Sequence, residues 1–360
     1  MSPLEYVIKT EIYQQGSITV ERFMSLVLSH PKYGYYSSRD SIGGEGDFIT
    51  APEISQMFGE MLGLWALVTW QQTNGDKNLS LTEIGPGKGT LMKDILRAVK
   101  MVTDLDNKIQ INLVEISQKL KLLQQAKLIN YKPKWYPSIS KLPHDQTIFI
   151  ANEFFDALPI LQVVGNNYKW YERRISLREK EPFELFFTLG PPIQIDSLPS
   201  NILNLKVTDG EIFEYSPSRE ITILSLAKRV ENKGGAILIV DYGHNKTSIG
   251  ETLQAVKNHQ SHSVLENPGI ADITAHVDFE SLKRAVSDTN TNFFGPITQG
   301  EFLRRIGIET RAAKLLKNAN SSSALKIESA LKRLIDPNGM GQMFKVVAIT
   351  KRGSPVPPGF

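Results

Sequence analysis

Cysteine is absent from the 360 residues of this chain. That excludes disulfides, cysteine-ligated zinc, cysteine-held iron–sulfur clusters and thiol nucleophiles, and it fits a reducing compartment. A large charge excess is missing too. The 41 basic and 38 acidic side chains leave a net charge of +3, too little for a polyanion binder, so nucleic acid is not an expected partner. Long apolar runs are also absent: the tract Met61 to Trp70 is too short to span a bilayer. No basic segment followed by an apolar core opens the chain, and Glu5 and Glu11 fall where an Arg-rich transit peptide carries no acid. The expectation is a soluble cytoplasmic protein without membrane insertion, or a mitochondrial-matrix form whose presequence has been removed.

What is present reads as alternating strands and helices. Residues 1–75 are helical in pattern: Thr19 caps one helix, and another runs from about Pro52 to Gln72 after a glycine loop at Gly43–Gly46. Leu79–Ile84, Ile109–Ile116, Thr147–Asn152 and Gly235–Asp241 read as strands, with helices over Thr90–Val102 and Ser117–Leu128 between them. Such alternation implies a mostly parallel sheet in an α/β fold. The core is therefore expected at 76–159, 216–243 and 291–360, interrupted by an antiparallel β insertion at 160–215 and a loop-rich insertion at 244–290. Gly165-Asn166-Asn167 is the expected hairpin turn of the first insertion.

The most informative local string is Glu83-Ile84-Gly85-Pro86-Gly87-Lys88-Gly89, at a strand-to-helix junction. Three glycines at alternate positions let the backbone turn tightly and come close to a ligand. A phosphate-binding P-loop needs four residues between its glycines and a Lys-Ser/Thr pair, and here Gly89 follows Lys88. The dinucleotide motif is GxGxxG, whereas this is GxGxG preceded by an acid. That variant suits S-adenosylmethionine (SAM), which has no pyrophosphate. Glu115, 28 residues after Gly87 at the tip of the second strand, reads either as the acceptor of the ribose hydroxyls of an adenosine or as a solvated strand-end acid, and its spacing from the glycine turn favours the first.

A third constellation follows the strand at Thr147. Asn152, Glu153 and Asp156 come where the carboxyl ends of strands line the ligand crevice of an open α/β sheet. The competing reading is a helix capped at Asn152, with Glu153 and Asp156 complementing its dipole. Asp47, Thr50 and Ser55 precede a helix whose start either faces a cofactor carboxylate or is merely capped by them. Tyr33, Tyr35 and Tyr36 form an aromatic cluster suited to stacking or to packing. His259, His262 and Glu266 have a ligand-like spacing but read as a solvated loop, so no metal is expected.

Long strings then carry a resemblance. Gly46-Asp47-Phe48-Ile49-Thr50-Ala51-Pro52-Glu53-Ile54-Ser55, the glycine turn, Asn152 to Pro159, Thr252 to Val256 and Pro268 to Phe279 together resemble the MidA family of class I SAM-dependent methyltransferases. The resemblance covers nearly the whole chain. It implies a Rossmann-like fold, SAM as cofactor, and methylation of an arginine on the large hydrogenase-like subunit of NADH dehydrogenase, in support of complex I assembly.

The implied cofactor residues are Glu83, Gly85, Gly87, Gly89, Glu115 and Asn152. Arginine stays protonated at neutral pH, so carboxylates are needed to hold and polarise it. Glu153 is the chief candidate and Asp156 the second, with His276, supported by Asp278, as proton acceptor. A catalytically silent assembly module and a nicotinamide-dependent oxidoreductase are the alternatives.

Overall fold

The computed structural model describes every residue except 39–49, 75–77, 103–108 and 203–206. The glycine loop at Gly43–Gly46 and Asp47 lie outside the described residues. The chain divides into two compact units. One comprises the described residues of Ile49–Phe155, Thr222–Gly243 and Leu282–Phe360, and the other those of Met1–Phe48, Asp156–Ile221 and His244–Ser281.

The first unit is built on a mixed sheet. Its strands are β1 (Leu79–Ile84), β2 (Ile109–Val114), β3 (Lys134–Tyr136), β4 (Thr147–Asn152), β5 (Gly235–His244), β6 (Thr291–Thr298) and β7 (Phe344–Lys351). They lie in the order β6-β7-β5-β4-β1-β2-β3. From β5 to β3 all neighbours are parallel, and β7 is antiparallel to both β5 and β6. The chain runs outward from β1 to β3, then resumes on the other side at β4. The adjacent pair β1 and β4 is therefore the switch point, and ligand crevices open at the carboxyl ends of such a pair.

Every residue of β1 and β4 is buried. Their hydroxyl-bearing members are paired across strands: the Ser80 and Thr147 hydroxyls are 2.9 Å apart, and Asn112 Nδ2 donates to Thr82 Oγ1 at 3.4 Å. Burial on both faces is what parallel strands require.

Four helices matter for the site: α1 (Ala51–Ile54), α2 (Gln56–Asn74), α3 (Thr90–Val102) and α4 (Gln118–Lys127). The single helix expected from Pro52 is broken at Ser55, whose φ of −159° and ψ of 137° are extended. On α3, Leu91, Met92, Ile95, Leu96 and Val99 recur at helical spacing and are buried. Helix α2 comes very close to them. A Cβ at Gly59 would stand 2.5 Å from Asp94 Cβ, and one at Gly63 would stand 2.7 Å from the Ile95 carbonyl oxygen.

The second unit holds helices Pro3–Gln15 and Val20–Ser29, the latter capped as expected by Thr19, whose hydroxyl accepts the Arg22 N–H at 3.0 Å. Its larger sheet is antiparallel and runs Ile18–Thr19, Lys169–Leu177, Leu161–Asn166, Ile212–Tyr215, with Leu185–Pro192 also paired to Lys169–Leu177. The hairpin turn is not at Gly165-Asn166-Asn167. It is Asn167-Tyr168, both at positive φ (48° and 60°), closed by the pair Asn166 and Lys169. Gly165 is a strand residue, and a Cβ there would meet the Thr208 carbonyl oxygen at 2.2 Å. Within 244–290, Gln254–Lys257, Gln260–His262 and Asp272–Thr274 form a small antiparallel sheet. Tyr35 is fully buried in this unit, and Tyr33 and Tyr36 pack against the same core.

Candidate cofactor and active site

The glycine turn joins β1 to α3. Gly85, Gly87 and Gly89 have φ values of 67°, 50° and 76°, a region that side chains with a Cβ rarely adopt. Gly85 N–H donates to the Val114 carbonyl at 3.1 Å, and Gly89 N–H closes the turn on the Pro86 carbonyl at 2.7 Å.

Glu83, two residues before the turn, is 2% exposed. Burial pushes its carboxyl up to about 8; the Met92 backbone N–H opposes that rise and the nearby Glu115 charge adds to it. Strand β2 ends at Val114, one residue before Glu115. The Glu115 carboxylate accepts the Ser117 N–H at 2.7 Å and the Gln124 side-chain amide at 3.0 Å. Burial raises its pKa as well.

No helix begins at Asn152, which is the last residue of β4; the chain bends at Glu153 instead. Glu153 sits at φ 50°, a left-handed conformation for a residue with a Cβ, and such strain persists only where surroundings enforce it. The enforcing groups are on the neighbouring strand β5. Glu153 N–H donates to the Val240 carbonyl at 2.9 Å, and one carboxylate oxygen of Asp241 accepts Phe154 N–H at 3.2 Å and Phe155 N–H at 2.9 Å. The Glu153 carboxylate is held by Asn152 Nδ2 at 3.2 Å and by Ala51 N–H at 3.3 Å. Phe154 packs on the glycine turn itself, 2.9 Å from where a Gly85 Cβ would be. Glu83, the three glycines, Glu115, Asn152 and Glu153 are thus brought together at the carboxyl ends of β1, β2 and β4.

Asp156 and His276 fall in the other unit. Arg219, buried there, binds three backbone carbonyls: those of His276 at 2.6 Å, Ala275 at 2.9 Å and Asp156 at 3.1 Å. His276 N–H donates to Thr252 Oγ1 at 2.9 Å, and Asp156 Oδ1 accepts the Ala157 N–H at 2.9 Å. Asp278 accepts the Thr247 hydroxyl at 2.5 Å and the N–H groups of Glu280 and Ser281. His262 Nε2 meets the Glu266 backbone carbonyl at 3.1 Å, not its carboxylate.

Of the residues before α2, Thr50 makes no side-chain cap bond, and Ser55 Oγ accepts the Met57 N–H at 3.1 Å. Glu53 accepts the Thr90 hydroxyl at the start of α3, and that hydroxyl in turn accepts Lys127 Nζ at 2.5 Å. Glu53, Gln124, Asp241 and Arg219 are the residues that sequence reasoning did not single out. The only sequence signal for any of them was the long string from Gly46 to Ser55, which includes Glu53.

Two buried acceptor atoms here, Glu83 Oε2 and Asn152 Oδ1, have no hydrogen-bond partner among the described residues. Buried acceptors normally have one. The α-ammonium group in the amino-acid portion of SAM would supply donors to such atoms, and the glycine turn leaves the backbone open to a close approach.

Comparison with known proteins agrees with that fit. The Methyltransf_28 family, described as "Putative S-adenosyl-L-methionine-dependent methyltransferase", matches residues 61–297. The chain belongs to this family. It is 36% identical over 363 residues to the zebrafish (Danio rerio) protein named "Protein arginine methyltransferase NDUFAF7, mitochondrial", covering 94% of this chain and 85% of that one. The human (Homo sapiens) protein of the same name is 33% identical over 374 residues, covering 97% and 83%. A crystal structure of a Burkholderia thailandensis protein bound to S-adenosyl-homocysteine has the same fold, with a TM-score of 0.86 and 24% identity over 99% of this chain and 93% of that one. The fold is thus the Rossmann-like one of SAM-dependent methyltransferases, and SAM is the cofactor. Among the described residues, no helix is long and apolar enough to cross a membrane.

Proposed function

We propose that this chain methylates an arginine of a protein substrate, the large hydrogenase-like subunit of NADH dehydrogenase, and thereby supports complex I assembly. It acts in the cytoplasm of a bacterium, or in the mitochondrial matrix if the source is eukaryotic. The names of the relatives support the arginine and the link to mitochondria. The observation that carries the chemistry is Glu153, held at φ 50° beside the glycine turn, with its carboxylate fixed by Asn152 and Ala51.

In this reading Glu115 accepts the ribose hydroxyls, and Glu83 and Asn152 receive the donors of the amino-acid portion. SAM, when bound, supplies a methyl group on a sulfonium whose sulfur keeps the bonding electron pair. Glu153 does the protein's share of the chemistry. Its negative charge binds the guanidinium, draws positive charge onto the nitrogens it touches, and leaves the remaining nitrogen more nucleophilic. Fixing that carboxylate before the substrate arrives avoids reorganisation during the reaction. One proton leaves the guanidinium for solvent when the new N–C bond has formed.

The test is calorimetry with SAM, followed by transfer of a labelled methyl group to the purified subunit and mass spectrometry of its arginines. Binding followed by label on arginine is the expected result. Binding with no label on any protein would make the chain a silent assembly module.

A further inference from the structure

We infer that Gln124 is a positioning residue that locks the glycine turn and the ribose-binding carboxylate into one rigid cofactor cradle. This rests on the reading of Glu115 as the ribose ligand. Gln124 is fully buried on α4. Its amide nitrogen donates to the Gly87 carbonyl at 2.7 Å and to the Glu115 carboxylate at 3.0 Å, and its amide oxygen accepts the Trp135 indole N–H at 2.8 Å. These partners leave a single orientation for the amide. An indole N–H can only donate, and a carbonyl and a carboxylate can only accept. Trp135 therefore decides which end of Gln124 faces the cradle.

The backbone of the turn is fitted to this side chain as well: a Cβ at Gly89 would stand 3.3 Å from Gln124 Cγ. Gln124 is thus packed against two of the three glycine positions and bonded to the acid that follows the next strand. An exposed helix position would need only a polar residue. The fully buried amide with three directed bonds instead fixes the distance between two parts of the cradle that come from different strands, β1 and β2. It touches no reacting atom and acts through Gly87 and Glu115.

The test is S-adenosyl-homocysteine binding by calorimetry, with thermal melts alongside, at pH 6 and pH 8. Gln124→Glu keeps an acceptor for Trp135, loses the donor to Gly87, and sets a second carboxyl against Glu115. The other charged groups that face the Glu115 carboxylate are Glu83 on β1 and Lys121 on α4. Relative to wild type at the same pH, affinity falls about tenfold or more at pH 8, the scale of a lost bond to a charged group. The deficit shrinks at pH 6, where a proton shared by the two carboxyls restores a hydrogen bond between them. A merely structural role would lower the melting temperature without a pH-dependent affinity ratio.

Trp135→Phe removes only the orienting donor, at a half-buried position, and lowers affinity several-fold in a folded protein. It decides the matter if Gln124→Glu does not fold. Glu115→Ala separates the two readings. If that variant binds like wild type, the cofactor assignment fails and this inference with it. If Glu115→Ala loses binding but Gln124→Glu and Trp135→Phe bind like wild type at both pH values, the positioning role alone is overturned.

Discussion

Gly85 and Phe154 are in contact with no room for a side chain between them: a Cβ on the glycine would stand 2.9 Å from Phe154 Cδ2. This contact joins the two site segments, the glycine turn after β1 and the bend after β4. It also makes the tolerance of one position depend on the other. Gly85→Ala meets both the ring and the strain of φ 67°, so it lowers stability by roughly 2–4 kcal/mol. Adding Phe154→Ala removes the clash but not the strain. A double-mutant cycle by denaturant unfolding is expected to show the pair costing less than the sum of the single changes. Strict additivity would mean the contact carries no energy.

Glu153→Gln preserves size and hydrogen bonding but removes the charge. S-adenosyl-homocysteine affinity stays near wild type while single-turnover methyl transfer falls by about two orders of magnitude, the ~3 kcal/mol scale of one electrostatic contact. Turnover close to wild type would remove Glu153 from the chemistry.

The same residue stores backbone strain, so Glu153→Gly relieves the left-handed conformation. The melting temperature of this variant is expected to match or exceed that of wild type even though transfer is lost. A large drop in melting temperature would place the role of Glu153 in the fold instead.

Glu83 makes stability depend on pH. Its folded value of about 8 lies above the usual 4.5. Below pH 4.5 the carboxyl is protonated in both states and burial carries no penalty. Between 4.5 and 8 the unfolded chain ionises first, so the folded state loses stability as pH rises. Glu83→Gln cannot ionise. Its melting temperature relative to wild type should therefore climb from pH 5 to pH 8 in the absence of cofactor. A constant difference across that range would show that Glu83 is already ionised in the fold.

Arg219 ties the backbone at Asp156 to that at Ala275 and His276. Lysine cannot reproduce its planar fork, and at least one buried carbonyl would lose its partner. Arg219→Lys is expected to destabilise by roughly 2–4 kcal/mol. Hydrogen exchange should locate the loosening at the Ala275 amide, which donates to the Asp156 carbonyl at 3.1 Å. Unchanged protection there would mean the clamp is redundant.

The sequence by itself determined the sheet. Strands β1, β4 and β5 are buried on both faces, and only near-continuous apolar or hydroxyl-bearing runs tolerate that. The glycine turn was legible for the same local reason, because positive φ at three alternate positions selects glycine. What tertiary structure alone decided was the partnering. Gln124 lies between Leu120 and Leu128 on one face of its helix, and that spacing marks the face as buried but not the partners of a polar residue on it; Gly87 is 37 residues away. Asp241 follows an apolar run within β5 and looks like any acid late in a strand until Phe154 and Phe155 donate to it. Arg219 reads as a solvated residue near a helix start, yet it is buried among carbonyls more than fifty residues distant in sequence. The hairpin turns at Asn167-Tyr168, closed by Asn166 and Lys169, and Gly165 is a strand residue whose missing Cβ leaves room for the Thr208 carbonyl. Local propensity sets φ, ψ and which face is apolar. Hydrogen-bond partners across the fold are fixed only when the strands take their order.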